Sequence, residues 1–191
     1  MDSTAQLTGG RGYLQRMGPT IRLIACLLAL VVLLPAPATS GASTPARARA
    51  SARSLLQSRQ LWATIDVCNP ADQPHYVGVR GSMPGDGRAT DSMYMRFRLQ
   101  YVNATTGQWT DIARGPAPPF LAVGSARIAR QLGRSFQVRP QQALTLRGVV
   151  SFQWRQNGRV LASASRVTTA GRESVKGSDP AGFSAATCRI A

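Results

Sequence analysis

Side chains that could perform catalysis are sparse in this 191-residue sequence. Its only histidine, His75, lies between Pro74 and Tyr76 in a stretch typical of a surface loop, and no spacing pairs it with a nucleophile. The sequence contains no Gly-x-Ser-x-Gly elbow, no Ser-x-x-Lys motif and no glycine-rich phosphate loop. We therefore predict that the protein is not an enzyme.

Paired carboxylates are the second kind of group that could do chemistry, because two of them can share the acid and base roles of a glycoside hydrolase. The candidates are Asp66, Asp72, Asp86, Asp91, Asp111, Glu173 and Asp179. Most of them occur in turn-like contexts, where aspartate commonly hydrogen-bonds to nearby backbone. A small secreted hydrolase that uses Asp91 or Asp111 as its acid or base is the alternative function.

Metal and cofactor chemistry has equally little support in the sequence. The run 86–91 places two carboxylates around an arginine, whereas calcium takes about six to eight oxygen ligands. Cys68, Cys188 and His75 lack the close spacing of zinc ligands. We predict neither a bound metal nor another cofactor.

Arginine supplies the third candidate chemistry, the binding of anions. The chain has 23 basic and 8 acidic residues, a net charge of +15, and Lys176 is its only lysine. Arg96 and Arg98 fall on the outward face of one predicted strand. Arg147 and Arg155 fall on the corresponding face of another, so the two strands could carry a basic stripe that attracts polyanions. Alternatively, these arginines are ordinary solubilising positions on the solvated face, and codon bias accounts for part of the arginine excess of the chain.

The N-terminal segment predicts export. An uncharged apolar run, 23–34, follows several arginines and precedes a stretch of small residues. This pattern indicates a signal peptide over 1–42, cleaved after Ala38 or Ala42, with Met1 or Met17 as the true start. A membrane span needs about 20 apolar residues, so no transmembrane span is predicted. The mature protein would be secreted or associated with the cell envelope.

Cysteine usage agrees with export. Cleavage removes Cys26 and leaves Cys68 and Cys188, and a disulfide between these two is the simplest arrangement in an oxidising compartment. Because the bond would close a long loop, the chain-entropy model gives it about 4 to 5 kcal/mol of stabilisation. It would tie the first strand to the C-terminus.

The mature chain is predicted to contain a linker followed by one domain. Residues 43–59 are small, polar and basic, which indicates a disordered tether or a basic arm. Residues 60–191 are predicted to form the domain. Apolar residues alternate with polar ones over 61–67, 93–101 and 144–154, which is the period of a strand.

Two further segments connect the predicted strands. Asn157-Gly158 predicts a two-residue hairpin, since both turn positions need a positive φ. If Gln156 pairs with Arg159, Trp154 lies opposite Leu161 across the hairpin. Residues 114–119 are rich in proline and are predicted to be irregular. The stretch 125–132 could be a short helix or a strand, and we favour the extended form.

About seven or eight short strands predict an all-β fold, an immunoglobulin-like antiparallel β-sandwich with one disulfide. Five segments carry a resemblance to known proteins, namely residues 63–68, 78–85, 93–98, 146–150 and 185–188. Over residues 61–190 the chain resembles a group of small exported actinobacterial proteins with no assigned activity. The hairpin at Asn157-Gly158 is similar to the late strands of fibronectin type III domains. The resemblance implies an architecture and carries no functional residues.

Together these features favour a secreted, non-enzymatic binding or interaction module at the cell envelope. The expected partner is an anionic envelope polymer or another envelope protein. Nucleic acid is not expected, because single-strand binders interleave stacking aromatics with a basic groove, and aromatic residues are only 6% of this chain. The sequence does not predict the oligomeric state.

Overall fold

The computed structural model describes the backbone of residues 45–191 and the side chains from residue 51 onward. The predicted signal peptide, 1–42, lies outside the described residues. The elements are α1 (Pro45–Gln57), β1 (Trp62–Cys68), β2 (Tyr76–Met83), β3 (Arg88–Val102), β4 (Trp109–Asp111), β5 (Leu121–Ala126), β6 (Arg130–Gln137), β7 (Leu144–Gln156), β8 (Arg159–Val167) and β9 (Cys188–Ile190). Within this described part, no helix is long and apolar enough to cross a membrane.

The strands form two sheets. The smaller sheet has the order β1-β2-β6. The larger has the order β4-β3-β7-β8, with β5 also paired to β3 and β9 to β7. Every pair of named strands is antiparallel. The prediction of a mainly antiparallel all-β domain is therefore confirmed.

Side chains from both sheets build one hydrophobic core. The fully buried members include Ile65, Val77, Val79, Met83, Met93, Met95, Leu146, Val150, Phe152 and Trp154. In β3 and β7 every second side chain points into this core, as the alternation in the sequence predicts. Two glycines let the sheets approach closely: a Cβ added at Gly148 would lie 2.5 Å from Val79 Cγ1, and one at Gly81 would lie 2.9 Å from Val150 Cγ1.

β1 is buried on both faces, which its alternating sequence does not predict. Ile65 contributes to the core, and on the other face Thr64 and Asp66 are also buried. The segment that follows β8 runs along the free edge of β1: Thr169 N donates to Ala63 O at 2.9 Å, and Asp179 N donates to Asp66 O at 2.8 Å. This long-range covering removes the first strand from solvent.

The structure differs from the predicted disordered linker over residues 43–59, because most of that segment forms α1. Leu55 is buried in the hydrophobic core and Leu56 packs against it. Arg166 Nη2 donates to Leu56 O at 2.8 Å, so an arginine of β8 satisfies one of the open carbonyls at the helix C-terminus. Two adjacent leucines thus supply the apolar contact that a polar, basic segment needs in order to stay helical.

The predicted disulfide is present. Cys68 at the end of β1 is bonded to Cys188 at the start of β9, with an S–S distance of 2.06 Å and a Cα–Cα distance of 5.5 Å. β9 also pairs with the beginning of β7, where Leu144 lies opposite Ile190. The bond therefore joins an edge of the smaller sheet to the C-terminal strand of the larger one.

The hairpin between β7 and β8 is confirmed, but its predicted register is wrong beyond the turn. Asn157 and Gly158 both have positive φ, 48° and 78°, and Gln156 pairs with Arg159. A bulge follows, so that Trp154 lies opposite Ala162 and not Leu161. The bulge places a small alanine beside the large indole in the core and leaves Leu161 40% exposed.

The structure agrees with the predictions of an extended form over residues 125–132 and an irregular stretch over residues 114–119. Residues 125–132 contain the end of β5 and the start of β6 and form no helix. The proline-rich stretch 114–119 lies between β4 and β5 and contains no regular element. The irregular form of 114–119 follows from local chemistry, since proline lacks the backbone donor that strand pairing requires.

Candidate functional site

The four arginines singled out in the sequence lie on one surface. Along β3 the core residues alternate with Arg96 and Arg98, and along β7 they alternate with Arg147 and Arg155. The two strands pair in a register that sets Gln100 opposite Arg147 and Ser92 opposite Arg155. All four arginines therefore occupy the outward face of the larger sheet, with their strands side by side.

Aromatic rings accompany three of these arginines. The Arg147 guanidinium lies over the Trp109 ring at 4.2 Å from its centroid, and the Arg96 guanidinium lies over Phe120 at 4.6 Å. The Arg155 guanidinium lies over Tyr94 at 4.2 Å and is also 5.2 Å from Phe120. Such cation–π contacts contribute about 0.5 to 1 kcal/mol each at exposed sites. We call the four arginines with Tyr94, Trp109 and Phe120 the arginine face.

Polar contacts fix the remaining groups of the arginine face. Arg98 Nη1 donates to Asp111 Oδ2 at 2.7 Å, and Gln100 Nε2 donates to Asp111 Oδ1 at 2.8 Å. Gln100 Oε1 in turn accepts from Arg147 Nε at 2.9 Å, so one chain of contacts links Arg98 to Arg147. At the other end, Arg155 Nε donates to Gln153 Oε1 at 2.9 Å. The guanidinium groups are thus oriented before any ligand arrives.

The arginine face carries an excess of positive charge. Among the residues that the structure describes, Asp111 neutralises Arg98, while Arg96, Arg147 and Arg155 form no salt bridge. Burial lowers the pKa of the Arg147 guanidinium, which stays a cation near neutral pH because the usual value for arginine is far higher. The Nε atoms of Arg96 and Arg98 are buried without a hydrogen-bond partner in the described structure. Chemically, this surface can bind anions through charge-assisted hydrogen bonds.

Sequence reasoning found the arginines of this surface but missed its aromatic rings. Tyr94 lies two residues before Arg96, so the period of a strand already places both on one face. Trp109 belongs to β4, and Phe120 immediately precedes β5. These two strands pair with β3 only in the folded chain. A two-residue period within one strand cannot reveal such neighbours.

The two carboxylates proposed for a hydrolase do not form a pair. Asp91 precedes Ser92 near the start of β3, whereas Asp111 pairs with Gln100 close to the other end, about 30 Å away along the strand. The two carboxyl groups of glycosidases lie about 5 to 10 Å apart. Asp91 is also fully buried and accepts from Gln156 Nε2 at 2.8 Å. The structure therefore does not pair Asp91 with Asp111.

Asp86 lies beside Asp91 and has a raised pKa. Burial raises the pKa of Asp86, and the neighbouring carboxyl of Asp91 raises it further. Arg88 Nη1 lies 3.7 Å from Asp91 Oδ2, and the backbone N–H of Arg88 donates to Asp86 Oδ1 at 2.8 Å. These contacts close the turn between β2 and β3, which is the structural role that turn-like aspartates commonly have.

His75 occupies a tight turn between β1 and β2. Its φ is 69°, its backbone N–H donates to Asn69 Oδ1 at 2.7 Å, and its carbonyl accepts from Val138 N at 2.8 Å. Within the part of the chain that the structure describes, no group of three or more histidine, cysteine or acidic side chains could hold a metal ion. The backbone contacts of His75 account for its position in the turn.

One buried ion pair predicts an unusual pH dependence of stability. Asp66 is buried in β1, and Arg80 Nε donates to Asp66 Oδ2 at 2.6 Å. Burial nevertheless raises the pKa of Asp66 above its usual 3.8, outweighing the lowering by Arg80. The folded protein therefore holds the Asp66 proton more tightly than the unfolded chain does. This contribution to stability is complete below about pH 3.8 and is lost as the pH rises through the folded pKa.

We expect Asp66→Asn to remove part of that pH dependence. In urea denaturation between about pH 3 and pH 7, the free energy of unfolding of the variant should decline less with rising pH than that of the wild type. Asp86 shifts in the same direction, so some of the slope should remain. Parallel curves for the two proteins would show that the pKa of Asp66 is not higher in the folded protein than in the unfolded chain.

Comparisons with known proteins add no functional assignment. No protein-family model matches the chain, and no curated protein sequence matches it. Among solved structures, the chain is similar to Pseudomonas fluorescens alkylpurine DNA glycosylase AlkC bound to DNA containing an abasic site analog. The sequence identity is 16%, over 63% of this chain and 34% of that one, with a TM-score of 0.30. At this TM-score the similarity indicates neither a common fold nor a common function.

Proposed function

We propose that this protein is an exported, non-enzymatic binding module with an immunoglobulin-like β-sandwich, which binds an anionic polymer of the cell envelope through the arginine face. One observation carries the proposal. Arg96, Arg147 and Arg155 are held over aromatic rings on a single outward surface, and none of them is neutralised by a carboxylate of the described chain. The disulfide supports an oxidising compartment outside the cytoplasm.

The spacing of the arginine face suits a ligand with repeated charges. Side chains two positions apart on a strand are about 7 Å apart, and neighbouring strands are about 5 Å apart. Arg96, Arg147 and Arg155 therefore present several cations along and across the sheet, and they do not close around a single anion. Guanidinium groups bind phosphate and carboxylate through paired hydrogen bonds, so an anionic polymer can be contacted at several points.

Orientation by aromatic rings reduces the entropic cost of binding. An exposed arginine loses rotamer freedom when it binds a ligand, which costs about 0.5 to 1.5 kcal/mol for each immobilised side chain. Stacking over Trp109, Phe120 and Tyr94 fixes part of that freedom in the free protein. One flat face of each guanidinium is covered by a ring, and Arg147 and Arg155 are held further by Gln100 and Gln153.

The same stacking favours an envelope polymer over nucleic acid. Single-strand binders use open aromatic rings, on which successive bases stack. Here the arginines lie over the rings of Tyr94, Trp109 and Phe120, so each ring already has a cation on it. The arginine face thus offers charge and hydrogen-bond donors more readily than it offers stacking surfaces.

Retention on envelopes of the producing organism tests the proposal. The purified mature protein should remain bound to washed envelopes above the level of an unrelated protein of similar basic charge. Retention should weaken as salt rises, because the Debye length falls from about 10 Å at 0.1 M to about 3 Å at 1 M. Retention no greater than that of the control protein would contradict the proposal.

A further inference from the structure

A second basic surface lies on the outward face of the smaller sheet. Trp62 is directly opposite Ser82, and Ser82 is directly opposite Gln131, so these three side chains form a row across β1, β2 and β6. The row is the floor of an open cleft with a volume of about 690 Å³. Its walls come from three separate segments, residues 59–60, 128–130 and 171–176. We call this feature the basic cleft.

Cations dominate the walls of the basic cleft. The charged residues that line it are Arg59, Arg130, Arg172, Lys176 and Glu173. The Arg130 side chain is directed away from the floor, since Arg130 pairs with the core residue Met83 and its guanidinium lies beside Gly124 of β5. Three cations and one carboxylate remain. Among the described residues, none of Arg59, Arg172 and Lys176 forms a salt bridge. Their charges remain available to a ligand.

Hydrogen bonds hold the wall formed by residues 171–176 in place. Arg172 Nε and Nη2 donate to Thr169 Oγ1 at 2.9 and 2.7 Å, and Arg172 N donates to Ser184 Oγ at 2.9 Å. From the floor, Gln131 Nε2 donates to Ser174 O at 3.1 Å. The wall and the floor are therefore joined directly, and the Arg172 guanidinium is oriented without a carboxylate. This arrangement is preorganised for an anion.

The size and lining of the basic cleft indicate the class of ligand. Its volume lies within the range of about 300 to 1,000 Å³ of small-molecule sites, which exceeds the space that a bare ion needs. The cations suit a doubly charged phosphate group. Trp62 and Ser82 on the floor are buried. The exposed wall residues Gln60 and Ser174 offer amide and hydroxyl groups that suit the hydroxyls of a polyol.

We propose that the basic cleft binds a small phosphorylated polyol of the sugar-phosphate class. Arg59, Arg172 and Lys176 contact the phosphate, and Gln60 and Ser174 of the walls contact the polyol. Separate titrations with a sugar phosphate and with inorganic phosphate distinguish this ligand from the phosphate group alone. This site is independent of the arginine face, which lies on the other sheet.

Titration followed by backbone and indole N–H resonances tests the proposal. Glucose 6-phosphate should produce saturable shifts in residues 171–176 and in the Trp62 indole, glucose should produce none, and inorganic phosphate should bind at least about tenfold more weakly. Arg59→Gln/Lys176→Gln should weaken the binding of glucose 6-phosphate by about tenfold or more, since two charge contacts are lost. The matched control, Arg114→Gln/Arg139→Gln, removes two exposed arginines outside the basic cleft and should change the affinity less than twofold.

Three results would overturn the proposal. The first is the absence of saturable shifts with glucose 6-phosphate, and the second is equal weakening by the two double variants. The third is equal affinity for inorganic phosphate, which would show that the polyol contributes nothing to binding. Envelope retention by the arginine face should be unchanged in Arg59→Gln/Lys176→Gln, so a failure here is distinguishable from a failure of the proposed function.

Discussion

Replacing Cys68 and Cys188 together by serine should lower the free energy of unfolding by about 4 to 5 kcal/mol. The bond joins residues separated by 120 positions, so breaking it restores the freedom of a very long loop in the unfolded chain. Urea denaturation followed by circular dichroism measures the loss. Below the transition, the β content should be unchanged, because the sheets are also held by strand pairing and by the common core.

Reduction of the wild-type protein provides the control for this variant. Reduced wild type should unfold at the same urea concentration as the double serine variant, because both lack the same link. Intact mass should show that the untreated protein has lost both thiol hydrogens. Two free thiols in that measurement, or a loss of less than about 1 kcal/mol in the variant, would contradict the stabilising role assigned to the bond.

The second large effect is expected for Trp154→Ala, at about 4 to 5 kcal/mol. Trp154 is fully buried on β7, and truncating a buried tryptophan costs about 3 to 5 kcal/mol through lost contacts and the cavity that remains. Its Nε1–H also donates to Pro84 O at 3.0 Å, so the alanine variant leaves a buried carbonyl without that donor. Thermal and urea denaturation should both report the loss.

Leu161→Ala is the matched control for Trp154→Ala. The bulge in the hairpin turns Leu161 toward solvent and sets Ala162 opposite Trp154. The free energy of unfolding should therefore change by no more than about 0.5 kcal/mol in this variant. A cost of about 2 kcal/mol or more would place Leu161 in the core and would support the unbulged register.

The long strands could be predicted from sequence because they are buried on one face only. Met93 to Leu99 on β3 and Leu146 to Trp154 on β7 show their core side directly in the alternation of residues. Asn157-Gly158 marks the hairpin because few other pairs adopt two positive φ angles easily. The bulge after this turn depends on how Ala162 fits beside Trp154, and no local signal reports that fit.

Features built from distant segments could not be predicted. α1 packs on the core through Ala52, Leu55 and Leu56, which cover a single turn of helix and give only a short apolar pattern in a basic segment. β1 is covered on its second side by residues more than a hundred positions later in the chain, among them Ser184 and Ala185. The basic cleft likewise combines three separate segments, so its cations have no common spacing in the sequence.

The arginine face could be predicted from the sequence only in part. Its arginines follow the two-residue period of β3 and β7, which is visible in the sequence. Its rings, Trp109 and Phe120, arrive through the pairing of β3 with β4 and β5. Sequence therefore predicts which cations share a surface, and only the fold shows that aromatic rings orient them.

Envelope retention of two charge-matched variants tests whether the arginine face binds the cell envelope. The first variant removes the three arginines of the arginine face that form no salt bridge, as Arg96→Gln/Arg147→Gln/Arg155→Gln. The second removes three exposed arginines elsewhere and is Arg53→Gln/Arg127→Gln/Arg139→Gln. Both lose the same net charge, so any difference between them reports the arginine face itself. Circular dichroism should show that both variants keep the β content of the wild type.

The first variant should be washed from the envelopes at low salt, with a loss in affinity of about tenfold or more, while the second should stay within about twofold of the wild type. Equal loss in both variants would contradict binding by the arginine face, because attachment would then follow net charge. Unchanged retention in the first variant would contradict it as well.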